Sequence, residues 1–186
     1  SARPPIPGLD GKNVITSTEA LNVESLPKSL AIIGGGVIGM EIGSTYAKFG
    51  VEVTVLEARP HIVHSIDTDV REVLLHTSEK IMTIETGAMV KEIQDADNQK
   101  KVVYETQGER RECCAEKVMV CVGRCPNTKK LGLETAGIQV NKRGYIQVNS
   151  HYETTAPGVY AIGDVNGQVL LAHAASAQGI YVADRI

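Results

Sequence analysis

The strongest constraint on this chain is one stretch of strand, glycine turn and helix. Leu30-Ala31-Ile32-Ile33 is an unbroken apolar run without polar alternation, the pattern of a strand buried on both faces. Gly34-Gly35-Gly36 turns the chain, and from Ile38 to Phe49 the apolar residues keep helical spacing until Gly50 closes the helix. Val51 to Glu57 is a second, β-branched strand that Pro60 ends. This order predicts two neighbouring parallel strands with the helix crossing over between them.

The turn also has the chemistry of a dinucleotide cradle. In Gly34-x-Gly36-x-x-Gly39, the first glycine allows the tight exit from the strand. Gly36 lets a pyrophosphate approach bare backbone, and Gly39 lets the helix lie close on the sheet, a contact that Gly43 extends one turn later. The helix N-terminus offers free N–H groups and partial positive charge to phosphate. Glu57 closes the next strand about 20 residues on, where a carboxylate accepts from the adenosine ribose hydroxyls. A 2′-phosphate would meet like charge there, so NAD is expected over NADP; Arg59, a guanidinium two residues on, pulls the other way.

Downstream, residues 69–80 read as a helix with Val70, Val73, Leu74 and Thr77 on its apolar face. Strand-like runs follow at 81–84, 89–93, 101–105 and 118–122, with a hairpin turn at 95–98. The sum is an α/β, Rossmann-like domain: a parallel sheet carrying an antiparallel insert, expected over residues 25–126. Residues 1–24 read as a loop and a short helix at 17–21. Residues 127–186 are punctuated by Gly132, Gly137 and Gly144, then give a strand at 158–164 ending on Asp164 and a helix from Ala172.

Composition narrows the class. Hydrophobic residues are 42% and charged residues 22% of 186, enough apolar content for packed cores. The net charge of −3 and the lack of a long basic run argue against nucleic acid. No apolar stretch approaches the ~18 residues of a membrane span, and Ser1-Ala2-Arg3-Pro4-Pro5 opens without the apolar segment of a signal peptide. Cys113, Cys114, Cys121 and Cys125 lack zinc-site spacing; Cys121 lies in an apolar run and reads as a core residue, which suggests a reducing, cytoplasmic setting. Both ends read as cuts through a larger protein.

Four runs carry a family resemblance: Gly34-Gly35-Gly36-Val37-Ile38-Gly39-Met40-Glu41, Val122-Gly123-Arg124-Cys125-Pro126-Asn127, Val159-Tyr160-Ala161-Ile162-Gly163-Asp164-Val165 and Leu171-Ala172-His173. Together they resemble the central portion of the pyridine-nucleotide disulfide oxidoreductases, in the branch of the dihydrolipoamide dehydrogenases. Arg3-Pro4 and Pro7-Gly8-Leu9-Asp10 are similar to that family's crossover between its FAD and NAD domains. The resemblance implies an NAD domain flanked by two pieces of an FAD domain, residues 1–24 and 127–186. For NAD it implies the backbone from Gly34 through Gly35, Gly36, Val37, Ile38, Gly39 and Met40, with Glu41 beside the nicotinamide, Glu57 on the ribose, Val90 on the adenine and Gly123 against the bound nucleotide. Val37 stands where some relatives carry a tyrosine gate. For FAD it implies Asp164 on the ribitol and Leu170, Leu171, Ala172 and His173 along the flavin.

The whole enzyme so implied passes a hydride between FAD and NAD while reoxidising dihydrolipoamide. It is a homodimer serving lipoyl-bearing 2-oxo acid dehydrogenase or glycine cleavage complexes. A mercuric reductase, a soluble transhydrogenase or a non-catalytic NAD-binding module are the alternatives. This sequence contains no C-x-x-x-x-C pair, no second glycine fingerprint and no His-Glu base of the kind that dithiol oxidation requires. No catalytic residue is therefore assigned, and the expectation is weak NAD(H) binding, scarcely any FAD binding and no complete reaction.

Overall fold

The computed structural model describes residues 4–186; Arg3, part of the expected crossover motif, lies outside the described residues. The chain divides into two compact units, one running to Gly123 and one from Arg124 to Ile186.

The first unit is built on parallel strands β1 (Val14–Thr16), β2 (Ser29–Ile33), β3 (Glu52–Glu57) and β4 (Thr83–Thr86). An antiparallel meander of β5 (Met89–Ala96), β6 (Gln99–Thr106) and β7 (Glu109–Ala115) leads to β8 (Lys117–Val120), which returns to the parallel sheet. The sheet order is β1-β8-β2-β3-β4. Helices α1 (Ser17–Ala20), α2 (Val37–Lys48) and α3 (Thr68–Ser78) complete the unit.

The apolar run of β2 is explained by its central place, with Ile32 level with Val55 on one neighbour and Met119 on the other. Leu30 and Ile32 enter a core shared with Met40, Ile42 and Tyr46 of α2 and with Met82. Ala31 and Ile33 point the other way, into a core with Ala88 and with Ile93, Val102 and Tyr104 of the meander. Burial of each large apolar side chain in that strand contributes roughly 1.5–3 kcal/mol. α2 lies close because Gly43 lacks a side chain; a Cβ there would stand 3.0 Å from Ile32 Cδ1.

Three sequence readings change. A strand at 14–16 precedes α1 and pairs in parallel with β8, from Val14↔Val118 to Thr16↔Val120. β7 is a further strand; its Glu and Arg residues hid it, since only one face of this edge strand meets the core. Gln107 and Gly108, both at positive φ, make the turn that starts it. In α3 the inward face is Leu74, Leu75 and the buried Ser78, whereas Val70 and Val73 are exposed. A small polar residue closing the inward stripe shifted the apparent apolar face.

The second unit has little regular structure: bridges Val140↔Ile146 and Glu153↔Tyr160, a 3-10 turn at Gly163–Asn166, and helix α4 (Ala172–Ala183). The strand expected at 158–164 is reduced to that single bridge. Thr154 N–H donates to Val159 and Ala161 N–H to Tyr152, but no further ladder forms, and Val159 and Ile162 stay exposed. No helix among the described residues is long and apolar enough to cross a membrane.

Candidate functional site

The glycine turn lies at the C-terminal ends of three adjacent parallel strands, β8, β2 and β3, where the order of successive strands β2-β3-β4 gives way to the late strand β8 on the other side of β2. Open α/β sheets bind ligands at such a switch point. Gly34, at φ 109°, is wedged into the sheet end: its N–H donates to Leu56, and a Cβ would stand 2.7 Å from the Cys121 carbonyl oxygen. Gly39 packs harder still, since a Cβ would fall 2.1 Å from the Gly34 carbonyl oxygen. Gly36 differs. It is the N-cap of α2 in extended backbone, with no side-chain cap and no acidic residue in the first turn, and a Cβ there would meet nothing within 4 Å. The first N–H groups of a helix have no intrahelical acceptor, and here they stand at the positive end of the dipole, next to the open space at Gly36.

Glu57 is tied to this turn. Its Oε2 accepts from Gly35 N–H at 2.6 Å and its Oε1 from Arg59 N–H at 2.8 Å. The Gly35 carbonyl accepts from Val63 N–H at 2.8 Å, so both polar groups of that peptide unit's glycine are held. Each carboxylate oxygen keeps lone-pair capacity for a further donor. The Arg59 side chain belongs to an exposed residue.

Gly34, Gly35, Gly36, Val37, Ile38, Gly39 and Met40 run from the end of β2 into α2 with Glu57 beside the turn, but only Gly36, Val37 and Ile38 reach the surface, and Met40 is spent in the core. Val37 is exposed, Ile38 half-buried, and Gly39 and Met40 buried. Glu41 is exposed on the outer face of α2, and Gly123, at φ 129°, follows the end of β8 with open space where a Cβ would be. Val90 is placed otherwise: it is 8% exposed and packs in the meander core with Leu56 and Tyr104. Its side chain is used in packing, leaving little surface for an adenine.

In the second unit, Asp164 is exposed on the 3-10 turn, and Leu171 is the extended N-cap of α4. Leu170, Leu171, Ala172 and His173 are all exposed around that helix start. Asp164 and Leu170 also line a cavity of about 370 Å³ with Arg124, Cys125, Asn127 and Tyr145. Arg124 carries a signal in the sequence, as part of the Val122–Asn127 run; Tyr145 carries none. Beneath the turn, Gln178 Oε1 accepts from Gly163 N–H at 2.7 Å and from Asn166 Nδ2 at 2.9 Å. Neither Gln178 nor Asn166 could be singled out from the sequence.

All four cysteines are free thiols. Burial pushes Cys113 up to about 11, with Cys114 and Glu85 adding to it, and burial likewise raises Cys121 to about 11. Such thiols are poor nucleophiles near neutral pH. No group of three or more His, Cys, Asp or Glu among the described residues could hold a metal.

Residues 1–179 match the family model described as pyridine nucleotide-disulphide oxidoreductase. The chain belongs to that family. It is 42% identical over 178 residues to a dihydrolipoyl dehydrogenase of Thermus scotoductus, covering 94% of this chain and 39% of the relative. A dihydrolipoyl dehydrogenase of Staphylococcus aureus is 41% identical over 177 residues, covering 95% and 38%. Among solved structures, the HOCl-induced flavoprotein disulfide reductase RclA of Escherichia coli matches all of this chain and 42% of its own, with a TM-score of 0.91 at 33% identity. The family chain described here therefore spans about two-fifths of these relatives' lengths.

Proposed function

We propose that this chain supplies the NAD(H) site, and part of the flavin site, of a flavin-dependent disulfide oxidoreductase of the dihydrolipoyl dehydrogenase type. One observation carries the reading: among the three fingerprint glycines, Gly34 and Gly39 are closed by backbone, while Gly36 opens on free space at an uncapped helix N-terminus beside the tethered Glu57 carboxylate. A turn needed only for folding has no use for the open glycine.

The residues present fit a dinucleotide. The α2 N-terminus offers backbone donors to a pyrophosphate, and Glu57 has acceptor capacity for ribose hydroxyls. Its negative charge and its two backbone tethers disfavour a 2′-phosphate, so NAD(H) is the ligand rather than NADP(H). In this reading Glu41 lies beside the nicotinamide and Gly123 against the bound nucleotide. In the second unit, Asp164, Arg124 and the exposed start of α4 fit a polar, phosphate-bearing group such as FAD, with the cavity of about 370 Å³ between them.

When bound, the nicotinamide and flavin supply hydride exchange; the residues of this chain bind and orient them. The turn fixes the nucleotide, Glu57 selects it, and Asp164 with Leu170 to His173 holds the flavin side. Dihydrolipoamide as the dithiol belongs to the whole enzyme and is supported by the relatives' name, dihydrolipoyl dehydrogenase; lipoyl-bearing complexes as its partners and a homodimer as its assembly extend that reading. The 186 residues alone bind NAD(H) weakly and do not complete the reaction.

Calorimetric titration with NADH and, separately, NADPH tests the nucleotide half. Binding of NADH with clear preference over NADPH is expected. Equal affinity for the two would remove Glu57 as selector, and no binding of either would leave the glycine turn as a folding device.

A further inference from the structure

Asp164 stands seven residues before Leu171, the N-cap of α4, and a buried polar link joins its turn to the body of that helix. Gln178 lies on α4, more than a turn beyond its start, and is 5% exposed. Its side-chain oxygen receives two donors, Gly163 N–H at 2.7 Å and Asn166 Nδ2 at 2.9 Å. These donors are the first and last residues of the 3-10 turn Gly163–Asn166, whose second residue is Asp164. Asn166, 6% exposed, also donates from Nδ2 to the Ala161 carbonyl at 3.1 Å, tying the turn back to the segment that leads into it. Gly163 sits at φ 72°, and a Cβ there would lie 3.0 Å from Ala175 Cβ, so the turn rests directly on α4.

We propose that Gln178 is a positioning residue for the flavin: one buried carbonyl oxygen fixes the Asp164 turn to the helix whose start carries Leu170 to His173. The role rests on the flavin reading above. Both donors are buried, so a side chain without an acceptor leaves two unsatisfied N–H groups and releases the turn from α4. Asp164 is exposed and makes no part of the link, so its carboxylate is free to meet a ligand hydroxyl. Two converging donors require an oxygen at this point, which sets the choice of variants. Gln178→Leu keeps the volume and removes the acceptor; Gln178→Glu keeps the acceptor.

The test uses the whole chain, with amide exchange and an FAD titration both followed by NMR, which reads weak binding. In Q178L the Gly163 amide should exchange about tenfold faster or more, with amides of the first unit unchanged. FAD-induced shifts at Asp164 and His173 should need about tenfold more ligand in Q178L, and Q178E should stay within about threefold of wild type. Because Gln178 acts through Asp164, D164A/Q178L should bind no more weakly than D164A alone. Unchanged FAD affinity in Q178L, or losses that multiply in the double variant, overturns the proposal. If Q178L unfolds the unit, Asn166→Ala is the second variant, which also gives up the bond to Ala161 and the one Asn166 Oδ1 accepts from Gln168 N–H. It leaves the Gly163 bond in place and should weaken FAD by about two- to threefold, again with no further loss on D164A. Wild-type chain giving no FAD shifts at Asp164 or His173 even at the highest soluble FAD concentration, where a site this weak is still read, would sink the flavin reading itself, and this role with it. Fast Gly163 exchange in the wild type would instead sink the link alone.

Discussion

Gly36 and Gly39 are three residues apart in one motif, yet replacing each with alanine should fail in opposite ways. At Gly36 the backbone is extended, with φ −73° and ψ −178°, a conformation any residue adopts, and the added Cβ meets nothing within 4 Å. Alanine is a poorer N-cap than glycine by some tenths of a kcal/mol, up to about 1. It recovers about 0.4–1 kcal/mol by stiffening the unfolded chain. Gly36→Ala should therefore fold with wild-type stability to within ~1 kcal/mol. Its methyl group nevertheless occupies the space a pyrophosphate needs, and NADH affinity should fall at least about tenfold, or ~1.4 kcal/mol. At Gly39 the methyl carbon would lie 2.1 Å from the Gly34 carbonyl oxygen, where about 3.0 Å is the closest approach real Cβ atoms make. Helix α2 must move by nearly 1 Å off a close-packed strand, a distortion of the kind that costs about 1–3 kcal/mol or more. Helix propensity returns up to about 1 kcal/mol of this. The net loss should lower the melting temperature by roughly 2–8 °C in a chain of this size. Thermal melts by circular dichroism, paired with NADH calorimetry on the same samples, separate the two effects. A Gly36→Ala chain that melts normally and binds NADH normally would refute the placement of the pyrophosphate. A Gly39→Ala chain that melts normally would refute the helix seating.

Glu57→Gln leaves one acceptor oxygen to face two N–H donors, so it should cost ~1–2 kcal/mol of stability, a fall of about 2–8 °C, and weaken NADH binding in calorimetry; an unchanged melt and affinity would detach Glu57 from the turn. Tyr46 Oη donates to the Ala20 carbonyl at 2.6 Å in a buried setting. Tyr46→Phe orphans that carbonyl and should lower the melting temperature by about 2–6 °C; a neutral melt would argue against the α1–α2 tether. Burial raises Cys113 and Cys121 from 9.0 to about 11, which favours the neutral thiol below pH 9 and cuts their thiolate fraction at pH 8 roughly 100-fold. Ellman's reagent at pH 8 should thus titrate the exposed Cys114 and Cys125 in a fast phase and the other two at least tenfold more slowly, the gap closing above pH 10. Four equal rates would contradict the burial.

The β2–α2–β3 unit was legible because its signals are local. An apolar run, a glycine turn and a helical period each specify their own conformation, and the helix bounds differ from the reading by one residue at most. β1 was illegible because Val14-Ile15-Thr16 becomes a strand only through β8, which arrives far along the chain. β7 was masked by its charges: Arg110 and Arg111 are exposed and serve ion pairs with Glu92 and Glu109. The strand expected at 158–164 has the composition but not the neighbours. Site residues divide in the same way. The turn and Glu57 follow from spacing, whereas the Gln178–Asn166 link depends on two amides brought together by the fold, and no one-dimensional pattern marks it. Val90 was assigned from resemblance alone, and the side chain lies in the core.

Because neighbouring residues of β2 feed separate cores, the sheet acts as a partition for mutation. A change at Ile33 or Tyr104 is absorbed on the meander side, and one at Ile32 or Met40 on the helix side that carries the glycine turn. Sequence drift in the meander, with its ion-paired outer face, can then accumulate without disturbing the register of α2 over the turn. The outer face of the meander is therefore where a designer can insert, retune surface charge or attach a tag at least risk to nucleotide binding.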